Sequence, residues 1–214
     1  MIIQMPTEGL ILAGGLGTRL RTVVSSVPKP MATVQGRPFL EHLMDYWIDQ
    51  GIQRFILSIG YLGECIKKHF GTAYRGRSVS YVWENVPLGT GGAVRQGLLQ
   101  TAWQQPYVVL VNGDTWYEVA LPQLVADAAS SSKPVTVVLK PMVLNDRYHG
   151  VYVDSSNRVT EFGVKSAGQC LINGGCYLLN VDEVTSCLRS YPNQFSLEQD
   201  FLVPMAREGK VAAS

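Results

Sequence analysis

A chain of 214 residues, 46% of them apolar, can bury a full-sized core in one compact unit, which excludes disordered and collagen-like classes. Its 18 Lys and Arg balance 17 Asp and Glu, so a basic face for nucleic acid is not expected. Charged residues, at 16%, fall below the roughly 25% usual in soluble domains, which favours a well-buried sheet and leaves room for a homodimer contact.

The predicted elements alternate in type along the chain. Gly9 to Ala13 reads as a strand followed at once by a glycine-rich loop. Phe39 to Gln50 has helical spacing, Arg54 to Ile59 is an apolar strand, and Leu62 to Phe70 is a helix closed by Gly71. Val79 to Trp83 alternates as a strand, Ala93 to Trp103 is a helix, and Tyr107 to Val111 is a continuous apolar run, as a strand buried on both faces requires. Leu121 to Ala129 is helical and Val135 to Leu139 is another buried strand. Beyond about residue 140, Val151 to Val153, Val159 to Phe162 and Leu171 to Leu179 read as strands, followed by helices at Val181 to Arg189 and Leu197 to Arg207. The pattern predicts one α/β domain over residues 1–214: a Rossmann-like, mostly parallel sheet with helices on both faces and a small antiparallel extension in the second half.

Cys65, Cys170, Cys176 and Cys187 have neither C-x-x-C nor zinc spacing, so free thiols in a reducing cytoplasm are expected. Met1 to Pro6 lacks the basic-then-apolar pattern of a signal peptide, and no apolar run approaches the roughly 18 residues of a membrane helix. A cytoplasmic protein without membrane attachment follows as the expectation.

Chemistry first shows at Leu12-Ala13-Gly14-Gly15-Leu16-Gly17-Thr18-Arg19-Leu20. Glycines let successive amides close around an anion, and Arg19 adds a planar fork for phosphate oxygens. A Walker A loop needs Gly-Lys-Ser/Thr, which is absent, and the dinucleotide fingerprint fails because Leu20 stands where its last glycine belongs. A nucleoside triphosphate loop with its own arginine remains, beside the plain reading of a tight turn. In Val27-Pro28-Lys29-Pro30-Met31, prolines on both sides are expected to hold Val27 and Lys29 extended and so mount Lys29 as a stiff point charge. The apolar run ending in Asn112-Gly113-Asp114 puts a carboxylate at the strand edge where open α/β sheets bind ligands, and such an acid can hold Mg²⁺. Thr115-Trp116-Tyr117 follow without a second aspartate, unlike the Asp-x-Asp of enzymes that consume nucleotide sugars.

Together, Leu12 to Leu20, Pro28-Lys29-Pro30, Pro87-Leu88-Gly89-Thr90-Gly91-Gly92-Ala93, Val111 to Asp114 and Ile172-Asn173-Gly174-Gly175-Cys176-Tyr177 resemble the signature of sugar-1-phosphate nucleotidyltransferases. Asp146-Arg147-Tyr148 and Ser196-Leu197-Glu198, with Pro87 to Ala93, are similar to the guanylyltransferases that activate D-glycero-D-manno-heptose 1-phosphate. Mannose-1-phosphate guanylyltransferases and uridylyl- or thymidylyltransferases of the family are alternatives. A non-catalytic nucleotide-sugar-binding regulatory subunit is the rival of another class, and the presence of Arg19 and Lys29 argues against it.

The resemblance implies GTP and a sugar 1-phosphate as substrates and Mg²⁺ as cofactor, with residues 1–140 binding nucleotide and residues 141–214 binding sugar. It assigns catalysis to Arg19, Lys29 and Asp114. Nucleotide contacts would come from Leu12, Ala13, Gly14, Gly15, Gly17, Thr18, Glu84, Pro87, Leu88, Gly89, Thr90, Gly91, Asn112 and Gly113. The loop Val86 to Gly92, ahead of a helix beginning near Ala93, would read the purine. Glu84 would accept from guanine N1–H and N2–H₂, or else is an exposed strand-end charge. Sugar contacts would come from Tyr148, Gly150, Lys165, Asn173 and Gly174, with Val164 where the family carries a glutamate. The family's second metal aspartate lies in a later aromatic-x-Asp-x-Gly-Thr/Val-Pro segment with no match here. Either a C-terminal tail is missing after Gly209 to Ser214 or the metal site differs, with Asp200 a lesser substitute for a metal ligand beside Asp114.

Overall fold

A computed structural model describes residues 3–15, 27–144, 150–164 and 168–214. In chain order the strands and helices are β1 (Glu8–Leu12), β2 (Thr33–Val34), β3 (Arg37–Pro38), α1 (Phe39–Asp49), β4 (Arg54–Ile59), α2 (Gly63–Phe70), β5 (Ala73–Tyr74), β6 (Arg77–Trp83) and α3 (Gly89–Gln100). They continue with β7 (Tyr107–Asn112), α4 (Leu121–Ser131), β8 (Val135–Leu144), β9 (Gly150–Val153), β10 (Val159–Val164), β11 (Gly168–Asn180), α5 (Val181–Leu188), α6 (Val203–Arg207) and β12 (Val211–Ala213).

One ten-stranded sheet carries the fold, in the order β10-β9-β11-β7-β1-β4-β6-β5, with β8 and β12 off that path. Its centre is parallel: β1 pairs with β4 and β7, and β4 with β6. β11 then runs antiparallel to β7, β8 and β9, which forms the expected antiparallel extension. Alternate residues of each central strand serve two cores. Leu10, Ile56 and Leu110 pack with α3, α5 and the 195–206 segment, whereas Ile11, Leu57 and Val111 pack with α1, α2 and α4. Both faces are therefore covered, as a parallel sheet requires. α1 shows the logic locally: Leu40, Leu43, Met44, Trp47 and Ile48 are buried at helical spacing, and the chain turns away at Gly51.

Several boundaries differ from expectation for identifiable reasons. The helix expected from Ala93 begins at Gly89, so much of the presumed loop is helical. Lys29 opens a single 3₁₀ turn, Lys29–Met31, and is not extended; Met31 N–H donates to the Pro28 carbonyl at 2.8 Å. The helix expected over Leu197 to Arg207 is a π-helical segment, Leu197–Leu202, running into α6. Pro204 has no N–H to offer the Asp200 carbonyl, which instead accepts from Tyr191 Oη at 3.2 Å. Two short hairpins, β2–β3 and β5–β6, turn on Gln35-Gly36 and Arg75-Gly76, both pairs at positive φ. β12, parallel to β8, was not expected either. All four cysteines are free, and no described helix is long and apolar enough to cross a membrane.

Strand order decides where chemistry can sit. From β1 the chain steps to β4 and β6 on one side, then crosses to β7 on the other. The crevice outside the carboxyl ends of β1 and β7 is the switch point, where neighbouring loops diverge and leave space for a ligand.

Candidate active site

Four strand ends meet at that crevice. Ala13 N–H extends the β1–β4 pairing by donating to the Ser58 carbonyl at 2.8 Å, and Gly14 then leaves the sheet. Gly14 lies hard against Glu84, just past β6: a Cβ on Gly14 would stand 2.3 Å from Glu84 Oε1 and 3.1 Å from the Gly60 amide nitrogen after β4. A side chain at this position would push the Glu84 carboxylate aside. The amides of Gly14 and Gly15 make no hydrogen bond among the described residues, and Gly15 is exposed. They remain available to an anion.

Glu84 is half-buried, which rules out the reading as an exposed strand-end charge. Burial pushes its carboxyl above the ordinary range, opposed by Ser58 Oγ, which donates to Oε1 at 3.0 Å, and by the Leu88 amide at 3.5 Å from Oε2. Ser58 escaped the sequence reading. Its signal was a lone polar residue inside an apolar strand that ends at a glycine.

On the other side of β1, Gly113 N–H donates to the Leu12 carbonyl at 2.9 Å, drawing the β7 end tight against β1 and presenting Asp114 at the edge. Lys29, 85 residues away in sequence, places Nζ on Asp114 Oδ2. Thr115 Oγ1 donates to Oδ1 at 3.3 Å. The two charged groups keep side-chain exposures of 34% and 40%, so both remain accessible.

β11 reaches the same edge. β11 bulges between Asn173 and Tyr177, with Gly175 at φ +71°, where a Cβ would stand 2.8 Å from Asn112 Nδ2. Asn173 Oδ1 accepts from the Gly175 amide at 2.9 Å and its Nδ2 donates to Tyr177 Oη at 2.7 Å, which among the described residues leaves one donor and one acceptor position of the amide unused. Gly174 is buried beside Tyr117, and Gly150 opens β9, also buried.

The glycines of α3 have a structural task. A Cβ on Gly91 would meet the Phe195 ring at 2.2 Å and one on Gly92 the Asn193 carbonyl at 2.2 Å, while Gly91 N–H donates to the Phe195 carbonyl at 3.0 Å. Thr90 Oγ1 donates to Glu198 Oε2 at 2.7 Å. The Gly91 amide, expected to face nucleotide, is thus committed inside the chain, as is that of Gly113. Asp200 Oδ2 accepts from the Ser196 amide at 2.7 Å and so caps the π-helical segment. Among the described residues no three His, Cys, Asp or Glu converge as a metal cluster. Mg²⁺ needs only one or two carboxylates with phosphate oxygens and water, so Asp114 beside Thr115 fits such an ion. Gly17, Thr18, Arg19, Tyr148 and Lys165 lie outside the described residues.

Comparison with known proteins places the whole chain. Residues 8–214 match the model of the nucleotidyl transferase family. The chain is 43% identical over 198 residues to a D-glycero-alpha-D-manno-heptose 1-phosphate guanylyltransferase of Aneurinibacillus thermoaerophilus, covering 91% of this chain and 83% of that protein. It is 39% identical over 195 residues to the protein of that name from Campylobacter jejuni, covering 91% and 81%. The crystal structure of HddC from Yersinia pseudotuberculosis complexed with GMP-PN superposes with a TM-score of 0.82 at 31% identity, covering 98% of this chain and 90% of that one. With Gly14, Gly15, Lys29 and Asp114 gathered at one switch point and the family model matched over residues 8–214, the chain belongs to the nucleotidyl transferase family.

Proposed function

We propose that this protein transfers GMP from GTP to D-glycero-D-manno-heptose 1-phosphate, giving the GDP-sugar and pyrophosphate. The observation that carries the reading is the meeting of Lys29 with Asp114 beside the amides of Gly14 and Gly15, which have no partner among the described residues. Similarity to two heptose 1-phosphate guanylyltransferases supports the substrate pair. Four free thiols are in keeping with a reducing cytoplasm.

An oxygen of the sugar 1-phosphate attacks the α-phosphorus of GTP in line. The new P–O bond forms as the bond to the β-phosphate oxygen breaks, and pyrophosphate leaves. The attacking phosphate is already an anion, so no side chain need remove a proton. Catalysis is then positioning and neutralisation of charge. The Gly14 and Gly15 amides, with Thr18 and Arg19 as further proposed contacts, hold the β,γ-phosphates, and Lys29 stabilises the charge that develops on the leaving group. Asp114, with Thr115, would hold Mg²⁺, which when bound neutralises triphosphate oxygens. Glu84 accepts from guanine N1–H and N2–H₂, a pair of donors that uracil and thymine lack. Those two bonds would offset the cost of keeping a carboxylate half-buried. Lys165, Tyr148, Gly150, Asn173 and Gly174 are proposed around the sugar phosphate.

Pyrophosphate release measured with GTP, UTP and dTTP against a panel of heptose and hexose 1-phosphates tests the reading. GTP with the heptose 1-phosphate is expected to give the highest kcat/KM, and no release with any pair would reject it. Lys29→Ala and Asp114→Asn are each expected to lower kcat by about 10²-fold or more without unfolding the chain.

A further inference from the structure

Lys29 and Asp114 have roles that conflict while the two groups touch. Lys29 Nζ lies on Asp114 Oδ2 and Thr115 Oγ1 bonds Oδ1, so both carboxylate oxygens are engaged. A hydroxyl can turn its lone pairs toward a cation and stay. An ammonium has three donors and no lone pair, and it repels a divalent ion arriving at the same carboxylate. Something must therefore draw Lys29 away before Asp114 can take a metal.

We propose that Lys29 is a resident stand-in for the divalent cation, occupying Asp114 until a nucleoside triphosphate draws the ammonium off, so that metal enters this site with nucleotide and not ahead of it. This rests on the reading of Asp114 as the metal carboxylate. The charge balance sets the order. A metal entering alone would displace Lys29 into a half-exposed position with no anion to meet it. A metal–triphosphate brings its own excess negative charge, and both cations then face anions. The moving group is built for the task. Pro28, Pro30 and Met31 are buried and fix the 3₁₀ turn, while the lysine stem is free to swing and its side chain is 34% exposed.

Terbium luminescence provides a readout independent of turnover. Trp116, 44% exposed and two residues beyond Asp114, serves as the sensitiser for Tb³⁺ bound there. Without nucleotide, Lys29→Met, which keeps the stem and removes the charge, is expected to half-saturate with Tb³⁺ at a concentration lower than wild type by about fivefold or more. The gain should vanish in Lys29→Met/Asp114→Asn, and a non-hydrolysable GTP analogue should lower the wild-type half-saturation to a similar extent. Equal half-saturation in wild type and Lys29→Met, including no signal from either, overturns the proposal, as does a gain that survives Asp114→Asn. Absence of pyrophosphate release by the wild-type enzyme would instead reject the proposed reaction and leave the terbium comparison to stand on its own.

Discussion

Glu84 holds a charge where solvation is poor, and its hydrogen bonds from Ser58 and Leu88 do not fully compensate, since its carboxyl stays above the ordinary range. A carboxyl raised on folding favours the protonated native state. Its contribution is fully present below the unfolded value and is lost as pH rises through the folded one. Glu84→Gln is therefore expected to melt with wild type at pH about 4, and at an equal or higher temperature at pH 7, with the gap opening as pH rises through the carboxylate range. The same variant should raise KM for GTP, because an amide cannot accept from both guanine donors. Thermal scans across pH, paired with KM for GTP at pH 7, check both halves, and a variant less stable than wild type at pH 7 with unchanged KM would reject the assignment. At this scale the meeting of Lys29 with Asp114 was legible, because residue type and spacing put both charges at the same sheet edge. The burial of Glu84 was not, since it depends on Gly14 and Gly60 arriving from other strands.

Among the elements, α3 shows how composition misleads. Gly89, Gly91 and Gly92 read as a flexible loop because glycine disfavours helix interiors. Gly91 and Gly92 lie in the helix and Gly89 opens it at φ +72°, and at all three the 193–195 backbone or the Phe195 ring leaves no room for a Cβ. That contact joins α3 to the segment that continues into α6, and Thr90 with Glu198 reinforces it. Gly91→Ala would push a methyl to 2.2 Å from the Phe195 ring. Overpacking of this kind costs about 1–3 kcal/mol, and displacement of the α3 start should raise KM for GTP more than KM for the sugar 1-phosphate. Urea unfolding and the two KM values test this. A variant as stable as wild type would mean that the helix and the Phe195 segment can separate freely. Other elements escaped for want of pattern: β2, β3 and β5 have two residues each, too few to show a period, and Pro204 inside a helical pattern gave no sign that the turn before it would be π-helical.

Across the whole molecule, the sheet divides its tasks between its two edges. Residues at the carboxyl ends of β1, β4, β6 and β7 build the site, whereas the opposite edge of β1 carries Glu8, 1% exposed, which accepts from Arg54 Nη1 at 2.6 Å and from the amides of Gln104 and Gln105 at 2.8 and 3.1 Å. The βαβ alternation made the parallel centre legible, because β1, β4 and β7 are buried apolar runs and β6 alternates. β12 was not, because Val-Ala-Ala carries no strand signal until β8 offers it an edge. Glu8 ties β1 to β4 and to the segment before β7, so it secures the strand order that creates the switch point without touching the switch point itself. Glu8→Ala would strand two amides and leave the Arg54 guanidinium only the Ala102 carbonyl, and breaking a buried pair costs about 3–5 kcal/mol; Arg54 is 24% exposed, which puts the expectation near about 3. In a domain of this size that lowers Tm by roughly 6–12 °C. Replacing both partners, Glu8→Leu with Arg54→Met, should recover some of the loss, since no lone charge then remains buried. Well below the melting transition, kcat of Glu8→Ala should match wild type, because the defect lies at the far end of β1 from Gly14. Denaturant unfolding and kcat measured on the same preparations separate the two edges: a loss of kcat as large as that of Asp114→Asn would show that the pair shapes the catalytic end after all.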